Sequence, residues 1–265
     1  MKYNKIVFRA AVAVLLGIAV FAVSRVVLIA CRQRENEKVA AHMAQMAVMQ
    51  AASEPEKQAA EHAAQPQATK QETVPMPISV DFTLLQQENP DIVAWIYCPD
   101  TPINYPVVQG DDNEYYLEHM ADGQWNAGGS IFLDSRNDPA LTDAYSLIHG
   151  HNQHTQTMFG SLPSYADQVY YEQHKLLYVL TPSQDCILEL FAGFDTESGD
   201  GLYAIPETWE RREKLVENAI ERSDFSSEIR PEADDRLLVL STCSYAYTDA
   251  RYVVIGVLRE NGTVE

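Results

Sequence analysis

The stretch that decides the fold is Leu237–Leu258, which reads LLVLSTCSYAYTDARYVVIGVL. Two apolar runs rich in β-branched residues flank a polar and aromatic loop, a pattern typical of two antiparallel strands joined as a hairpin. The first run ends at Thr242-Cys243, and the second begins at Arg251. Pairing of the two runs predicts that the Cys243 thiol and the Arg251 guanidinium are neighbours.

A thiol beside a guanidinium suits covalent catalysis in two ways. The cation favours the nucleophilic thiolate over the thiol, and a fixed guanidinium can stabilise the oxyanion that forms when a thiolate attacks a carbonyl. The competing interpretation is structural, since free cysteine is among the most buried residue types. In that case Cys243 is a small core residue and Arg251 is a solvated strand residue. The hairpin alone does not choose between the two.

A second informative segment is Ala144–Leu162, which reads AYSLIHGHNQHTQTMFGSL. A strand-like run ends at HGHN, so the flexible Gly150 presents an imidazole at a strand end. A histidine there can protonate the amine that leaves an attacked peptide bond. The spacing of His149, His151 and His154 also allows a metal site, but no nearby Asp, Glu or Cys completes a recognised ligand set. We therefore predict no metal.

Strand-like runs continue upstream of the hairpin. They are short and are separated by clusters of Gly, Pro, Asn and Asp, which is typical of a barrel or sandwich. We predict eight strands, at Val93–Tyr97, Ile103–Val108, Ser130–Leu133, Ala144–Ile148, Leu176–Leu180, Ile187–Phe194, Arg236–Ser241 and Tyr252–Leu258.

Two helices are expected within this β pattern. A short one near Phe82–Glu88 ends at Asn89-Pro90, because the residue before a proline avoids the helical conformation. A longer one, Trp209–Arg222, is amphipathic. Its apolar face consists of Trp209, Leu215, Val216, Ala219 and Ile220. The chain from residue 78 onward is therefore expected to form one mainly-β domain with helical insertions.

The N-terminal part has a different composition. Ile6–Ala30 is apolar over a length that can cross about 30 Å of hydrocarbon as a helix. No small-x-small site follows its apolar core, which favours an uncleaved anchor over a signal peptide. Residues 32–77 are rich in Ala, Gln, Glu and Met and hold no aromatic residue, so we expect a stalk with no core. The expected division is 1–31, a cytoplasmic tip and transmembrane anchor; 32–77, the stalk; and 78–265, the folded domain that carries Cys243.

Charge and cysteine content exclude some classes of protein. The formal net charge of −19 argues against a nucleic-acid partner, because neutralising phosphates requires clustered Lys and Arg. The four cysteines, Cys31, Cys98, Cys186 and Cys243, form no CxxC pair. Neither a zinc ribbon nor a dense disulfide framework is indicated. The sequence leaves open whether Cys98 and Cys186 form a disulfide.

The sequence resembles the class B branch of the sortase family. The resemblance rests on LSTCSY at Leu240–Tyr245, on Arg251 with the VVIG two positions later, and on HGHN with MFGSL at Met158–Leu162. NPDIVAWI, TPINYPVVQG, NEYYL and GGSIFLD, all between Asn89 and Asp134, add to it. The motifs follow one another in the family's order and cover nearly everything from about residue 79 to residue 258.

The resemblance implies an eight-stranded sortase-type β-barrel with an N-terminal helix and a helix inserted between strands six and seven, preceded by a transmembrane helix and stalk. It also implies a catalytic set of Cys243 as nucleophile, His151 and Arg251. His149 stands where the family usually has tyrosine, so the motif reads HGH instead of YGH. The register next to the glycine favours His151 as the acting histidine.

The same resemblance suggests that His149 lines the substrate groove. Ser241, Thr242 and Tyr245 flank the nucleophile and are expected to contact substrate as well.

The implied function is that of a transpeptidase at a Gram-positive cell surface. Such an enzyme cleaves a C-terminal sorting signal of a secreted protein after Thr (or Ser), here of the Asn-Pro-x-Thr type. It holds the acyl group as a thioester and transfers it to an amine of a peptidoglycan precursor or a pilin. The expected location is the cell membrane, with a single span and the catalytic domain outside. No cofactor is needed for this chemistry.

Three alternatives remain at the level of sequence. An L,D-transpeptidase would place its arginine two residues after the cysteine, where this chain has Tyr245. A papain-like peptidase usually has its cysteine early in the chain and on a helix. The non-enzymatic alternative is a surface assembly module in which Cys243 is structural.

Overall fold

The computed structural model describes residues 2–50, 72–152, 156–244, 246, 249–260 and 263–264. Its centre is a closed barrel of eight strands. In chain order they are β1 (Ile92–Tyr97), β2 (Asn104–Val108), β3 (Ile131–Leu133), β4 (Tyr145–His149), β5 (Leu176–Leu180), β6 (Asp185–Glu197), β7 (Arg236–Cys243) and β8 (Ala250–Glu260). Around the barrel the order is β7-β8-β6-β5-β1-β2-β3-β4, and pairing of β4 with β7 closes it.

The closing pair is parallel, whereas β7 and β8 pair antiparallel as a hairpin. Because β4 and β7 run in the same direction, their C-terminal ends meet at one edge of the barrel. The start of β8 lies at that edge as well, opposite the end of β7. This topology brings together the three segments that the sequence marked as chemical.

Alternation along each strand separates the barrel interior from its outer surface. In β7, Leu238 and Leu240 belong to a buried cluster that has members from all eight strands, so their side chains point inward. Leu237 and Val239 belong to a second cluster on the outside. By the same alternation, Thr242 continues the inward row, and Ser241 and Cys243 continue the outward row.

The helix between β6 and β7 covers this outer cluster. It spans Trp209–Arg222, as predicted, and buries Val216 and Ala219 against the barrel. Trp209 differs from the prediction, because it is only partly buried and lies beside Arg212, whose guanidinium is 5.7 Å from its ring centroid. The eight-stranded barrel and the inserted helix are thus confirmed.

The predicted strands are all present, but β6, β7 and β8 extend beyond the apolar runs that predicted them. β6 and β8 pair out to Glu197↔Ala250 at one end and to Cys186↔Glu260 at the other, and β7 continues to Cys243. The added residues are mostly polar, so their hydrophobicity did not mark them as strand. Backbone pairing to a neighbouring strand extends the ladder regardless of side-chain polarity. The short helix is confirmed at Phe82–Glu88, with Asp81 capping its N-terminus.

One expectation about the stalk is wrong. The N-terminal helix continues without a break from Lys2 to Ala47, and its last third packs on the barrel. Asn36, Ala40, Met43 and Ala47 are buried there, Met43 with an exposed fraction of 2%. An Ala- and Met-rich helix has small or flexible side chains that fit an existing apolar surface, so it needs no core of its own. The domain boundaries themselves stay a prediction.

Candidate active site

Cys243 and Arg251 are direct partners in the β7–β8 ladder. Side chains directly opposite each other in an antiparallel pair lie on the same face, with Cβ atoms about 5 Å apart. The predicted pairing of Cys243 with Arg251 across the hairpin is therefore confirmed. Both side chains are partly buried, neither sealed in the core nor fully solvated. The Arg251 Nη1 donates a hydrogen bond to the Ala250 carbonyl oxygen over 3.2 Å.

His151 reaches the same edge from β4. In the parallel β4–β7 pair, His149 is the partner of Ser241, so the register extended by two residues puts His151 alongside Cys243. The Gly150 N–H donates to the Ser241 carbonyl oxygen over 3.0 Å, which keeps the chain on this path beyond the strand. Gly150 is required sterically, because a Cβ there would lie 2.6 Å from the Phe159 ring.

Two hydrogen bonds hold the segment around His151 in place. The Asn152 side-chain amide donates to the Cys243 carbonyl oxygen over 2.7 Å, which ties the end of HGHN to the end of β7. The His151 Nε2 lies 3.0 Å from the Leu117 carbonyl oxygen. Since a carbonyl can only accept, Nε2 carries a proton in this arrangement, and exchange of a proton with a substrate falls to Nδ1.

Cys243, Arg251 and His151 line one open cavity of about 330 Å³. The cavity lies on the outer side of the sheet formed by β4, β7 and β8, where Ser241 and Cys243 point. Its remaining lining residues come from all around the barrel edge: Asn113, Leu117, Phe132, Asp134, Arg136, His149, Gly150, Ser198, Tyr203, Ser241 and Thr242. The predicted sulfur, guanidinium and imidazole thus share one groove.

His149 belongs to a hydrogen-bonded network in the cavity wall. Its Nε2 is 3.3 Å from the Asp134 carboxylate, which also accepts two 2.7 Å hydrogen bonds from Arg136. Burial disfavours ionisation of Asp134, but the hydrogen bonds from Arg136 and His149 outweigh it and hold the pKa of this carboxyl well below its usual range. The His149 ring also stacks on Tyr203, with centroids 6.3 Å apart. His149 is therefore held in the cavity wall opposite Ser241, two residues before Cys243 along β7.

The two predicted residues next to the nucleophile differ in their environments. The Ser241 hydroxyl is 2.8 Å from the Tyr203 hydroxyl, so it already has a partner in the cavity wall. Burial raises the pKa of the Tyr203 phenol, so this hydroxyl stays neutral. Thr242 has an exposed fraction of 1%, and its Oγ1 has no hydrogen-bond partner within the described part of the chain. A buried hydroxyl without a partner is costly, and Thr242 is also among the residues that line the cavity.

Some cavity residues were not singled out from the sequence. Asp134, Asn113 and Leu117 lie within the quoted motifs GGSIFLD and NEYYL, so those motifs could have pointed to them. Tyr203 lies in no motif and reaches the cavity from the connection between β6 and the Trp209–Arg222 helix. Tyr245, a predicted substrate contact, and His154, a candidate metal ligand by its spacing, lie outside the described residues. Over the described ranges, no group of three or more His, Cys, Asp or Glu side chains is arranged to hold a metal ion.

The other cysteines differ from Cys243 in exposure. All four are free thiols, so Cys98 and Cys186 do not form a disulfide in this structure. Both are fully buried, and burial raises the pKa of each to about 11. Each therefore stays protonated at neutral pH and is unsuited to nucleophilic attack.

Comparison with known proteins agrees with this geometry. A family model described as the sortase domain matches residues 96–259. Sortase B of Listeria monocytogenes is 33% identical over 179 residues, covering 66% of this chain and 72% of the relative. Sortase B of Staphylococcus aureus is 31% identical over 177 residues, with the same coverage of both chains.

Solved structures agree as well. A crystal structure of Staphylococcus aureus sortase B superimposes with a TM-score of 0.64 at 30% identity, covering 68% of this chain and 86% of that one. A Bacillus anthracis sortase B structure superimposes with a TM-score of 0.68 at 29% identity, covering 86% of this chain and 97% of that one. The family match, the curated relatives and the shared barrel together show that this chain belongs to the sortase family of cysteine transpeptidases, in its class B branch.

Proposed function

We propose that this transpeptidase uses Cys243 as its nucleophile, with Arg251 and His151 as partners. The observation that carries the proposal is the shared groove: the register pairs Cys243 with Arg251, and HGHN brings His151 alongside. Cys98 and Cys186 are buried and protonated, and Cys31 lies on the N-terminal helix away from this groove. These differences in burial and position support Cys243 as the nucleophile.

The proposed first half-reaction forms a thioester. The Cys243 thiolate attacks the carbonyl carbon of a threonine (or serine) in the sorting signal, and the carbonyl oxygen becomes an oxyanion. The Arg251 guanidinium donates hydrogen bonds to that oxyanion, which lowers the barrier because the charge develops only in the transition state. His151 gives a proton to the departing amine, and the C–N bond breaks.

The proposed second half-reaction transfers the acyl group. An amine of a peptidoglycan precursor or a pilin attacks the thioester carbonyl, and His151 takes a proton from it. The Cys243 thiolate leaves, and a new amide bond joins the surface protein to its acceptor. Because this exchange conserves one amide bond, it needs no external energy source and no cofactor.

The proposed substrate is a C-terminal sorting signal of the Asn-Pro-x-Thr type on a secreted protein. Asn113, Leu117, His149, Ser241 and Tyr203 form walls against which an extended peptide can lie. Thr242 is among the residues that line the groove next to the nucleophile, and we propose it as a substrate contact. Tyr245 follows the nucleophile directly and is proposed as a further contact.

The proposed location is the outer face of a Gram-positive cell membrane, with a single span. Among the described residues, one helix is long and apolar enough to cross a membrane, and its apolar window is not buried against the rest of the protein. Membership of the sortase family supports a role at the cell surface.

The test is turnover of a fluorogenic sorting-signal peptide, with and without an added amine. We expect the full chain to cleave the peptide and, when the amine is present, to yield the ligated product. Cys243→Ala should abolish both activities, because no other thiol lies in the groove. Cys31→Ser is the matched control and should retain full turnover. Residual turnover in folded Cys243→Ala protein would rule out Cys243 as the nucleophile and favour a structural role for this cysteine.

A further inference from the structure

The N-terminal helix has no hinge between its apolar run and the barrel. It is helical throughout Lys2–Ala47, and Cys31–Ala47 contains neither glycine nor proline, the residues at which helices usually bend sharply. The helix is exposed from Phe8 to Cys31 and becomes partly buried from Arg32 onward. Its membrane-spanning part and its barrel-bound part are therefore one rigid rod.

Specific bonds fix the rotation of this rod on the barrel. Three contacts go to the 115–129 segment, which runs from Tyr115 to the residue before Ser130. The Asn36 side-chain amide donates to the Gly129 carbonyl oxygen over 3.2 Å, and the Asn126 side-chain amide donates to the Arg32 carbonyl oxygen over 3.0 Å. The Arg32 guanidinium lies 4.9 Å from the centroid of the Trp125 ring. The helix therefore cannot turn without breaking these contacts.

Trp125 lies where the apolar run ends. Arg32, its cation–π partner, is two residues beyond Ala30, the last residue of that run. Although it is large and apolar, Trp125 remains 55% exposed. Tryptophan is enriched at membrane–water interfaces, where its ring sits at headgroup level. The rod therefore holds an exposed interfacial side chain at the height of the membrane surface.

A groove leads from this height to the catalytic edge. It has a volume of about 200 Å³ and lies between the rod and the barrel. Ile29, Arg32 and Gln33 line it on the rod side, and Ala127, Gly128, His151 and Asn152 line it on the barrel side. Ile29 belongs to the apolar run, whereas His151 is the proposed proton carrier. This groove is separate from the 330 Å³ cavity, although His151 lines both.

The charge of the surface limits how deeply it can enter a bilayer. Residues 110–123 include the acidic Asp111, Asp112, Glu114, Glu118 and Asp122. Burying ionised carboxylates in hydrocarbon is too costly for deep insertion. Contact is therefore confined to the headgroup layer, with Trp125 and Arg32 as its nearest side chains.

We propose that Arg32 and Trp125 form a bilayer-contacting surface that holds the catalytic groove at the membrane, with the Ile29–His151 groove open to the headgroup layer. This inference rests on the anchoring proposed above. Its consequence is positional: an amine carried on a membrane lipid reaches His151 from the rod side, while the sorting signal occupies the larger cavity. The catalytic edge is thus mounted on the bilayer instead of moving freely on a tether.

The test uses the full chain in lipid nanodiscs that contain brominated phospholipids, which quench tryptophan on contact. We expect brominated lipids to quench more fluorescence in the wild type than in Trp125→Phe. This difference should be larger with lipids brominated near the headgroup than with lipids brominated near the chain end. A Gly-Ser insertion between Cys31 and Arg32 uncouples the rod from the span. It should abolish the Trp125 component and leave cleavage of a soluble signal peptide unchanged.

A second reporter separates this inference from the anchoring on which it rests. Phe21→Trp, made in the Trp125→Phe background, places a tryptophan in the middle of the apolar run. Quenching of this reporter, together with quenching of Trp125 in the wild type, supports the inference. Quenching of the reporter without Trp125 overturns the contact surface and leaves the anchor intact. If neither is quenched, anchoring fails and the contact surface fails with it. Retained Trp125 quenching in the insertion variant would contradict the rigid mounting.

Discussion

Two histidines flank Gly150, and their side chains lie in different surroundings. His149 is held by Asp134 and Tyr203 within the cavity wall, in a position where the family usually has tyrosine. His151 lies alongside Cys243 by strand register, and its ring is oriented by a backbone carbonyl. The carboxylate-bound His149 resembles the oriented base of a catalytic triad, whereas the strand register favours His151 as the partner of Cys243.

We expect His151→Ala to lower kcat/KM for the sorting peptide by about 10²–10⁴-fold, the usual contribution of a general acid–base group. His149→Tyr is the matched control, and its activity should stay near the wild-type level because tyrosine fills the same wall. His149→Ala should act mainly on KM, since it opens the wall without removing the proton carrier. Measuring kcat and KM for the sorting peptide with the three variants distinguishes the roles of the two histidines. An inactive His149→Tyr with an active His151→Ala would reverse the assignment.

Among the elements, the N-terminal helix shows how a sequence without a core of its own still contributes to one. Met43 packs in a cluster with Ile78, Phe82 and Leu85, which covers one outer face of the barrel. The strand that follows the helix, Val48–Gln50, pairs with Ile78–Val80 and anchors its end. The catalytic barrel therefore includes part of what the composition marked as stalk.

We expect Met43→Ala to lower the free energy of unfolding by about 2 kcal/mol, at the lower end for truncating a buried methionine because the site lies at the edge of the protein. Met49→Ala, at a position that is 63% exposed, should change it little. Denaturant titration of the full chain in detergent, followed by tryptophan fluorescence, measures both. Equal stability of the two variants would show that the helix does not pack on the barrel in solution.

For the molecule as a whole, ionised carboxylates in the fold set a limit on acid stability. Hydrogen bonds to Arg136 and His149 lower the pKa of Asp134 despite its burial, and bonds to Thr196 and Arg222 do the same for Asp200. A carboxyl whose folded pKa is depressed stabilises the fold fully above its unfolded pKa of about 3.9. That contribution is lost as the pH falls further toward the folded value. Asp185 and Asp224, whose pKa burial raises, act in the opposite direction.

We expect wild type to be more stable than Asp134→Asn at pH 7, and the difference to shrink as the pH falls below about 4. The comparison isolates Asp134, because the other carboxyls are present in both proteins. Thermal unfolding of both proteins between pH 3 and pH 7 provides the measurement. A difference that stays constant over this range would mean that the Asp134 carboxylate is not held ionised by its partners.

What the sequence determined by itself is local or carried by pattern: eight strands, the Trp209–Arg222 helix, the apolar span and the Cys243–Arg251 pairing. Strand alternation, helical periodicity and a hairpin loop act between near neighbours, so they can be read along the chain. Only the tertiary structure decided that the groove lies on the outer face of the barrel and that His151 stands alongside Cys243. It also decided that the Arg32–Ala47 helix docks on the barrel, and that Tyr203 enters the cavity on a connection held by Arg222 and Asp200. These features depend on parallel closure of β4 on β7 and on side-chain bonds between residues distant in sequence, whose energies exist only once the barrel has formed.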